Sequence, residues 1–224
     1  MVEGILVEQM NVFFDPILSP YLSGFRKSHS CQGVLMHFVE TCKSQLDDKQ
    51  VCAALLTDLS KAFDCLPHRL LLAKLHAYGV DKKACTLIMS YFKDRKQRVK
   101  LMDSRSEWLP LVKGAPQGSL FGPFMYNVFS NDLLCLIVES CFGDIFNYAD
   151  DNSVLSCGKN YVEVRYKLQN ASNIMLDWFE RNYMQANPSK FQLIVFGTYT
   201  CDQTMDIGKY TIKADTCVKL LGVH

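Results

Sequence analysis

The chain has 224 residues, 49% of them hydrophobic and 21% charged, with a net charge of +1. That length supports one large core or two small domains, and the mix of apolar and charged residues excludes a disordered chain. Near-neutrality neither demands nor excludes a nucleic-acid partner, because a local basic groove can hide in a neutral total.

The ten cysteines include no Cys-x-x-Cys pair, so no zinc site is signalled. Their settings are mostly apolar, as at Cys52, Cys135 and Cys157, and read as buried thiols of a reducing compartment. Glu3 and Glu8 near the start, with no basic region leading into an apolar one, do not read as a signal peptide. The longest apolar run, Leu133 to Val138, is far too short to cross a bilayer. The expectation is an intracellular protein, nuclear or cytoplasmic, without a membrane partner.

In chain order, residues 1–22 read as a short helix and a loop ended by Pro16 and Pro20. The basic turn Gly24-Phe25-Arg26-Lys27-Ser28 precedes a helix over about Ser30 to Ser44, with Val34, Leu35, Phe38 and Val39 on its buried face. Val51 to Thr57 is almost wholly apolar and predicts a strand buried on both faces. It ends at Asp58, a carboxylate that is costly there without a partner. Pro67 opens a helix and Gly79 closes it; a second helix covers about Lys82 to Phe92. Lys93 to Lys100 is a basic, strand-like stretch with two open readings, a solvated edge strand or a phosphate-binding strip. Lys113 to Ser119 must bend sharply at Pro116 and Gly118, and a helix over about Pro123 to Val138 follows.

Phe146 to Leu155 predicts a hairpin with Asp150 and Asp151 at its tip, where Asp tolerates unusual backbone angles. Like charges so close raise a pKa or recruit a cation. A long amphipathic helix over about Tyr161 to Arg181 buries Leu168, Ala171, Met175, Trp178 and Phe179. Asn187-Pro188 turns into a strand, Phe191 to Phe196, and the chain ends in Val218 to His224, read as a strand cut short. In a mixed sheet with the first strand beside the hairpin, Asp58, Asp150 and Asp151 converge. Three carboxylates are a ligand set for two Mg2+ ions, which prefer hard oxygens. Such ions, about 4 Å apart, clamp both oxygens of an in-line phosphoryl transfer.

Asp58 with Phe63, the loop Gly114 to Ser119, Tyr148-Ala149-Asp150-Asp151, Asn187 with Lys190, and Leu221-Gly222 occur in the order used by reverse transcriptases. Leu55 to Asp64 resembles the first catalytic motif of non-LTR (LINE-type, jockey-like) retrotransposons, and Gly24 to Lys27 and Gly122-Pro123 are also similar to that group. The resemblance covers nearly the whole chain. Phe121 departs from it, standing where a smaller aliphatic is usual, which reads as a packing variation.

The resemblance implies an α/β (α+β) fold, a right-hand polymerase palm with partial fingers, an antiparallel-containing sheet packed on helices, and no thumb. Residues 1–50 would be partial fingers and 51–224 palm, with a fingers segment inserted at about 80–112. It implies an RNA-directed DNA polymerase core that joins a deoxynucleoside triphosphate (dNTP) to the 3′-hydroxyl of a DNA primer on an RNA template. Asp58 and Asp150 would bind both Mg2+ ions, with Mn2+ as a substitute, and Asp151 would complete the acidic cluster. Lys190 would neutralise or protonate the leaving pyrophosphate. Phe63 would lie beneath the incoming sugar, against its alternative as a core aromatic. Gln117, Gly118 and Ser119 would face the template and the new base pair, Ser119 also serving as a helix cap. Arg26 and Lys27 would meet template backbone or triphosphate. Tyr148 would pack beside the primer end, and Leu221 and Gly222 would start a primer-grip hairpin. Asp64 and His68 match family positions without an evident physical role. Two other readings stay open: an inactive reverse-transcriptase-like fragment with at most weak nucleic-acid binding, and another palm-fold nucleotidyl transferase such as an RNA polymerase. Oligomeric state is left open.

Overall fold

A computed structural model describes residues 2–197 and 203–223. The elements in order are α1 (Val2–Phe14), α2 (Cys31–Asp47), β1 (Val51–Thr57), α3 (Ala62–Cys65), α4 (His68–Ala77), α5 (Lys82–Phe92), β2 (Lys96–Gln97), β3 (Lys100–Leu101), β4 (Ser104–Arg105) and β5 (Leu109–Pro110). There follow α6 (Phe121–Ser140), β6 (Asp144–Tyr148), β7 (Asp151–Gly158), α7 (Tyr161–Arg181), a 3-10 turn (Pro188–Lys190), β8 (Gln192–Phe196), β9 (Thr204–Ile207) and β10 (Tyr210–Lys213). The chain divides into two compact units, Met1–Leu18 with Lys61–Phe129, and Ser19–Ser60 with Ser130–His224.

The first unit is helical apart from a narrow β ribbon. Its core gathers aromatic rings: Phe14 meets Tyr78 and Phe124 edge-on, and Phe121 stacks on Phe124 at 5.8 Å. Phe121 is wholly buried, so the bulky residue at this position is indeed a packing choice. α4 is capped at Tyr78 and followed by Gly79, whose φ of +95° suits a residue without Cβ.

The second unit is built on a four-stranded sheet in the order β6-β7-β1-β8, with every pairing antiparallel. The expected mixed sheet is thus corrected to an antiparallel one: β6 and β7 are joined as a hairpin, while β1 pairs with β7 and β8 from far along the chain. β1 is central and almost wholly buried, as its unbroken apolar run requires. Alternate β1 residues serve opposite faces. Cys52, Ala54 and Leu56 join Val34, Phe38 and Cys42 of α2 in one core, while the Thr57 hydroxyl reaches Met175 of α7 on the other face. The α7 stripe Leu168, Ala171, Met175, Trp178 and Phe179 is buried as its periodicity predicts. α2 runs one turn beyond the expected end, and Val39 faces solvent instead of the core.

β9 and β10 form a further hairpin through Gly208-Lys209, with Gly208 at φ +58°. The C-terminal stretch is a tight turn at Leu221-Gly222 closed by a Leu220–Val223 bridge, in place of the expected strand; His224 lies outside the described residues. α6 is long and apolar enough to cross a membrane by length and composition, yet 72% of that window is buried inside the protein, as befits a core helix.

The nine cysteines among the described residues are thiols, none of them in a disulfide. Burial is less general than expected: Cys42, Cys52 and Cys65 are buried, Cys135 and Cys157 half-buried, Cys141 and Cys217 exposed. Cys52 stands directly opposite Cys157, with the Cys157 thiol donating to the Cys52 sulfur at 3.0 Å. Burial pushes the Cys42 thiol up to about 12.

Candidate active site

The β6–β7 hairpin carries the acidic pair on a two-residue turn, Ala149-Asp150, between the paired residues Tyr148 and Asp151. The unusual backbone angle falls on Ala149, at φ +56°, and not on an aspartate. The strain is held by neighbours. Asn147 Nδ2 donates to the Ala149 carbonyl at 2.9 Å and to Asn152 Oδ1 at 3.0 Å, and Asn152 Nδ2 donates to the Asp150 carbonyl at 3.1 Å. Gly24 lies against the same turn so closely that a Cβ would sit 2.3 Å from the Ala149 nitrogen.

Strand register brings the third carboxylate alongside. Thr57 of β1 pairs with Asn152, so the next residue, Asp58, stands opposite Asp151. A Leu59–Ala186 bridge, with Asn187 N donating to the Asp58 carbonyl at 2.9 Å, ties the segment before β8 to this strand end. That tie delivers Lys190, whose Nζ pairs with Asp58 Oδ2 at 3.2 Å. The costly strand-end carboxylate therefore has a partner, in a half-exposed pair of modest strength.

Burial is the main cause that pushes the Asp150 carboxyl above the ordinary carboxylate range, with the Asp58 charge adding to it. Asp151 is exposed on one side but packed by protein on the others; this desolvation, then the charges of Asp150 and Asp58, pushes it up as well. The three carboxylates sense one another without forming a cage: among the described residues, no three His, Cys, Asp or Glu side chains are grouped to hold a metal. The donor chemistry suits a divalent cation, since three neighbouring carboxylates offer hard oxygen donors whose mutual repulsion a shared positive charge relieves.

Asp58, Asp151, Lys190, Leu221 and Gly222 line one groove of ≈ 810 Å3, together with Gln192, Lys213 and Lys219. Tyr148, at the end of β6, packs against the α2 side of the sheet. Arg26 donates to the carbonyls of Ser19 and Leu22 at 2.8 and 3.2 Å, while Lys27 is exposed.

The remaining sequence-predicted residues belong to the first unit. Phe63, in α3, is half-buried with its ring 4.7 Å from Tyr126. Gln117 and Gly118 are exposed on their loop, Gly118 at φ +79°. Ser119 Oγ accepts from Gly122 N at 2.9 Å, the cap at the start of α6. His68 has a structural role that the sequence did not suggest. Its ring stacks on Phe92 at 3.8 Å and its Nε2 bonds the Gly114 carbonyl at 2.7 Å. Burial lowers its pKa, which favours the neutral ring. Asp64 contributes backbone: a Cβ on Gly114 would strike it at 2.7 Å.

The whole chain, residues 1–224, matches the family model described as reverse transcriptase (RNA-dependent DNA polymerase). The chain belongs to the reverse transcriptase family. It is 30% identical over 184 residues to the probable RNA-directed DNA polymerase from transposon BS of Drosophila melanogaster, covering 78% of this chain and 20% of that protein. It is 26% identical to the RNA-directed DNA polymerase from mobile element jockey of the same fly, covering 79% of this chain and 20% of that protein. The chain thus spans about a fifth of the length of these relatives. Its fold is also that of the telomerase of Candida tropicalis. The apo form matches at TM-score 0.59 and 12% identity over all of this chain and 43% of the other. A form in complex with a fragment of telomeric RNA matches at 0.61 and 12% identity over 92% of this chain and 35% of the other.

Reverse transcriptase membership accounts for the order of these motifs along the chain. The asparagines at 147 and 152 and the glycine at 24 are the site residues that reading for charge alone passes over. Their signal is polar or Cβ-free residues in runs otherwise destined for burial.

Proposed function

We propose that this chain is an RNA-directed DNA polymerase core that adds dNTPs to the 3′-hydroxyl of a DNA primer on an RNA template. The observation that carries this is the register placing Asp58 opposite Asp151, beside the Asp150 turn and along an open groove. The unit containing the sheet acts as the palm. Asp58 and Asp150 would hold two Mg2+ ions, or Mn2+ in their place, with Asp151 completing the acidic cluster; the ions would neutralise charge on the phosphates undergoing in-line displacement.

The protein's own residues supply positioning and charge. Lys190 leaves its pair with Asp58 to neutralise the departing pyrophosphate. Leu221 and Gly222 grip the primer, and Tyr148 packs beside its end. Arg26 and Lys27 meet template backbone or triphosphate. Phe63, anchored on Tyr126, lies beneath the incoming sugar and excludes a 2′-hydroxyl. Gln117, Gly118 and Ser119 bound the new base pair.

Primer extension on an RNA template with MgCl2 tests the reading. Wild-type chain extends the primer, and Asp150→Asn lowers the rate by at least about 1,000-fold, a barrier change of roughly 4 kcal/mol. Extension by Asp150→Asn at the wild-type rate removes the metal assignment. Primer–template binding by wild type without extension leaves a nucleic-acid-binding module in place of an enzyme.

A further inference from the structure

The basic stretch after α5 plays no part in the carboxylate groove. It folds as a narrow ribbon in the first unit. Lys96 and Gln97 pair with Pro110 and Leu109, and Lys100 and Leu101 pair with Arg105 and Ser104. The two pairings differ by one residue in register, so Arg98 and Val99 face three residues, Ser106, Glu107 and Trp108. That is a bulge on the returning strand, a device that re-aims side chains. Trp108 lies with the Arg98 guanidinium 4.4 Å from its ring centroid and still exposes 53% of its surface.

Charge is concentrated here. Residues 93–113 hold seven Lys or Arg against three Asp or Glu, a net +4, so the rest of a chain of net +1 carries −3. Lys96, Arg98, Lys100 and Arg105 are all exposed, and none has an acidic partner among the described residues. Lys100 even stands directly opposite Arg105, a like-charge pair that costs stability in a ladder. A solvated edge strand needs lysines to prevent pairing. It has no use for cations set against each other, nor for a tryptophan displayed beneath an arginine. Residues 96, 98 and 100 recur on one side of a strand at roughly 7 Å intervals, a repeat suited to successive phosphates of an extended strand.

We propose that this ribbon is a binding platform for single-stranded nucleic acid, with a base stacked on Trp108 and phosphates held by Arg98, Lys100 and Arg105. Stacking plus cations is sequence-tolerant recognition, since every base offers a π-face. The platform is independent of polymerisation and of metal.

The test is binding of uridine and thymidine homopolymers and of a duplex to the full 224-residue chain, without dNTPs or metal, across salt. Single strands quench tryptophan emission; Trp178 is buried, so the quenched signal is that of Trp108. Trp108→Ala weakens single-strand binding about tenfold, and Trp108→Phe retains most of it. Combining Arg98→Ala, Lys100→Ala and Arg105→Ala lowers the slope of log affinity against log salt by about 2, at ~0.7 per phosphate. The tighter of the two homopolymers tells whether RNA or DNA is the preferred strand. Trp108→Ala without effect on single-strand binding, Trp108→Ala weakening duplex binding as much as single-strand binding, or an unchanged slope overturns the proposal. Because no nucleotide is added in this experiment, its failure is separate from a failure of primer extension.

Discussion

The β6–β7 turn and the 93–113 ribbon are both hairpin-like and both charged, and they are held in opposite ways. The acidic turn is clamped: buried Asn147 and Asn152 satisfy its carbonyls, Gly24 presses against its backbone, and β1 covers its flank. The basic ribbon is exposed along almost its whole length, with two-residue strands, a bulge and a like-charge pair. Carboxylates that are to share a cation, as proposed for this turn, need fixed positions, and here packing contains their repulsion. Cations that meet a flexible strand need reach and exposure instead.

The comparison breaks most directly at Gly24. Gly24→Ala forces the turn or the 24–26 loop to move, because the new Cβ overlaps Ala149 backbone at 2.3 Å. Destabilisation of about 3 kcal/mol or more is expected, or roughly 6–12 °C in Tm. A thermal melt that is unchanged would show the turn to be far less clamped than its contacts imply.

A smaller effect is expected at Asn147. Its amide makes two buried hydrogen bonds, while its Oδ1 has no partner among the described residues. Asn147→Ala strips the Ala149 carbonyl of its donor and should cost about 1–3 kcal/mol in chemical denaturation. A cost below about 0.5 kcal/mol would mean that the backbone holds the turn without the side chain.

The ribbon should respond with the opposite sign. Arg105→Glu converts the Lys100 pairing from repulsive to attractive, so Tm should rise by roughly 1–3 °C while nucleic-acid binding weakens. A fall in Tm would show that the ribbon's charges contribute to stability after all.

The same contrast explains what was legible in the sequence. α5 and the buried stripe of α7 follow from helical periodicity, and β1 from its unbroken apolar run. The carboxylates were legible as charges in apolar surroundings. Lys190 was legible as a residue, but not as the Asp58 partner, because the link runs through the backbone tie at Leu59 and Ala186. The strained angle at Ala149 was misassigned to aspartate, since local turn preference names Asp and only the Asn147–Gly24 surroundings select Ala. The β9–β10 hairpin was missed although Thr204–Ile207 alternates and Gly208 marks the turn; its short strands carry little apolar signal. The ribbon's bulge has no local signature, because it arises from the register between two strand pairs.

The central claim is the proposal that Asp58, Asp150 and Asp151 form a divalent-cation site, and the pH and magnesium dependence of the melt supplies the most direct measurement. Asp150 and Asp151 sit above the ordinary carboxylate range, chiefly from burial. Their contribution to stability is therefore fully present below the unfolded carboxylate pKa of about 3.9 and is lost as pH rises through the raised folded values. At neutral pH, without added metal, Asp150→Asn should melt at or above the wild-type temperature, and this advantage should shrink on acidification. Adding MgCl2 should then raise the wild-type melt, by about 2.7 kcal/mol at 100 times the dissociation constant, and raise the Asp150→Asn melt far less. An equal magnesium-induced rise in both proteins would contradict the assignment of these carboxylates as the metal site.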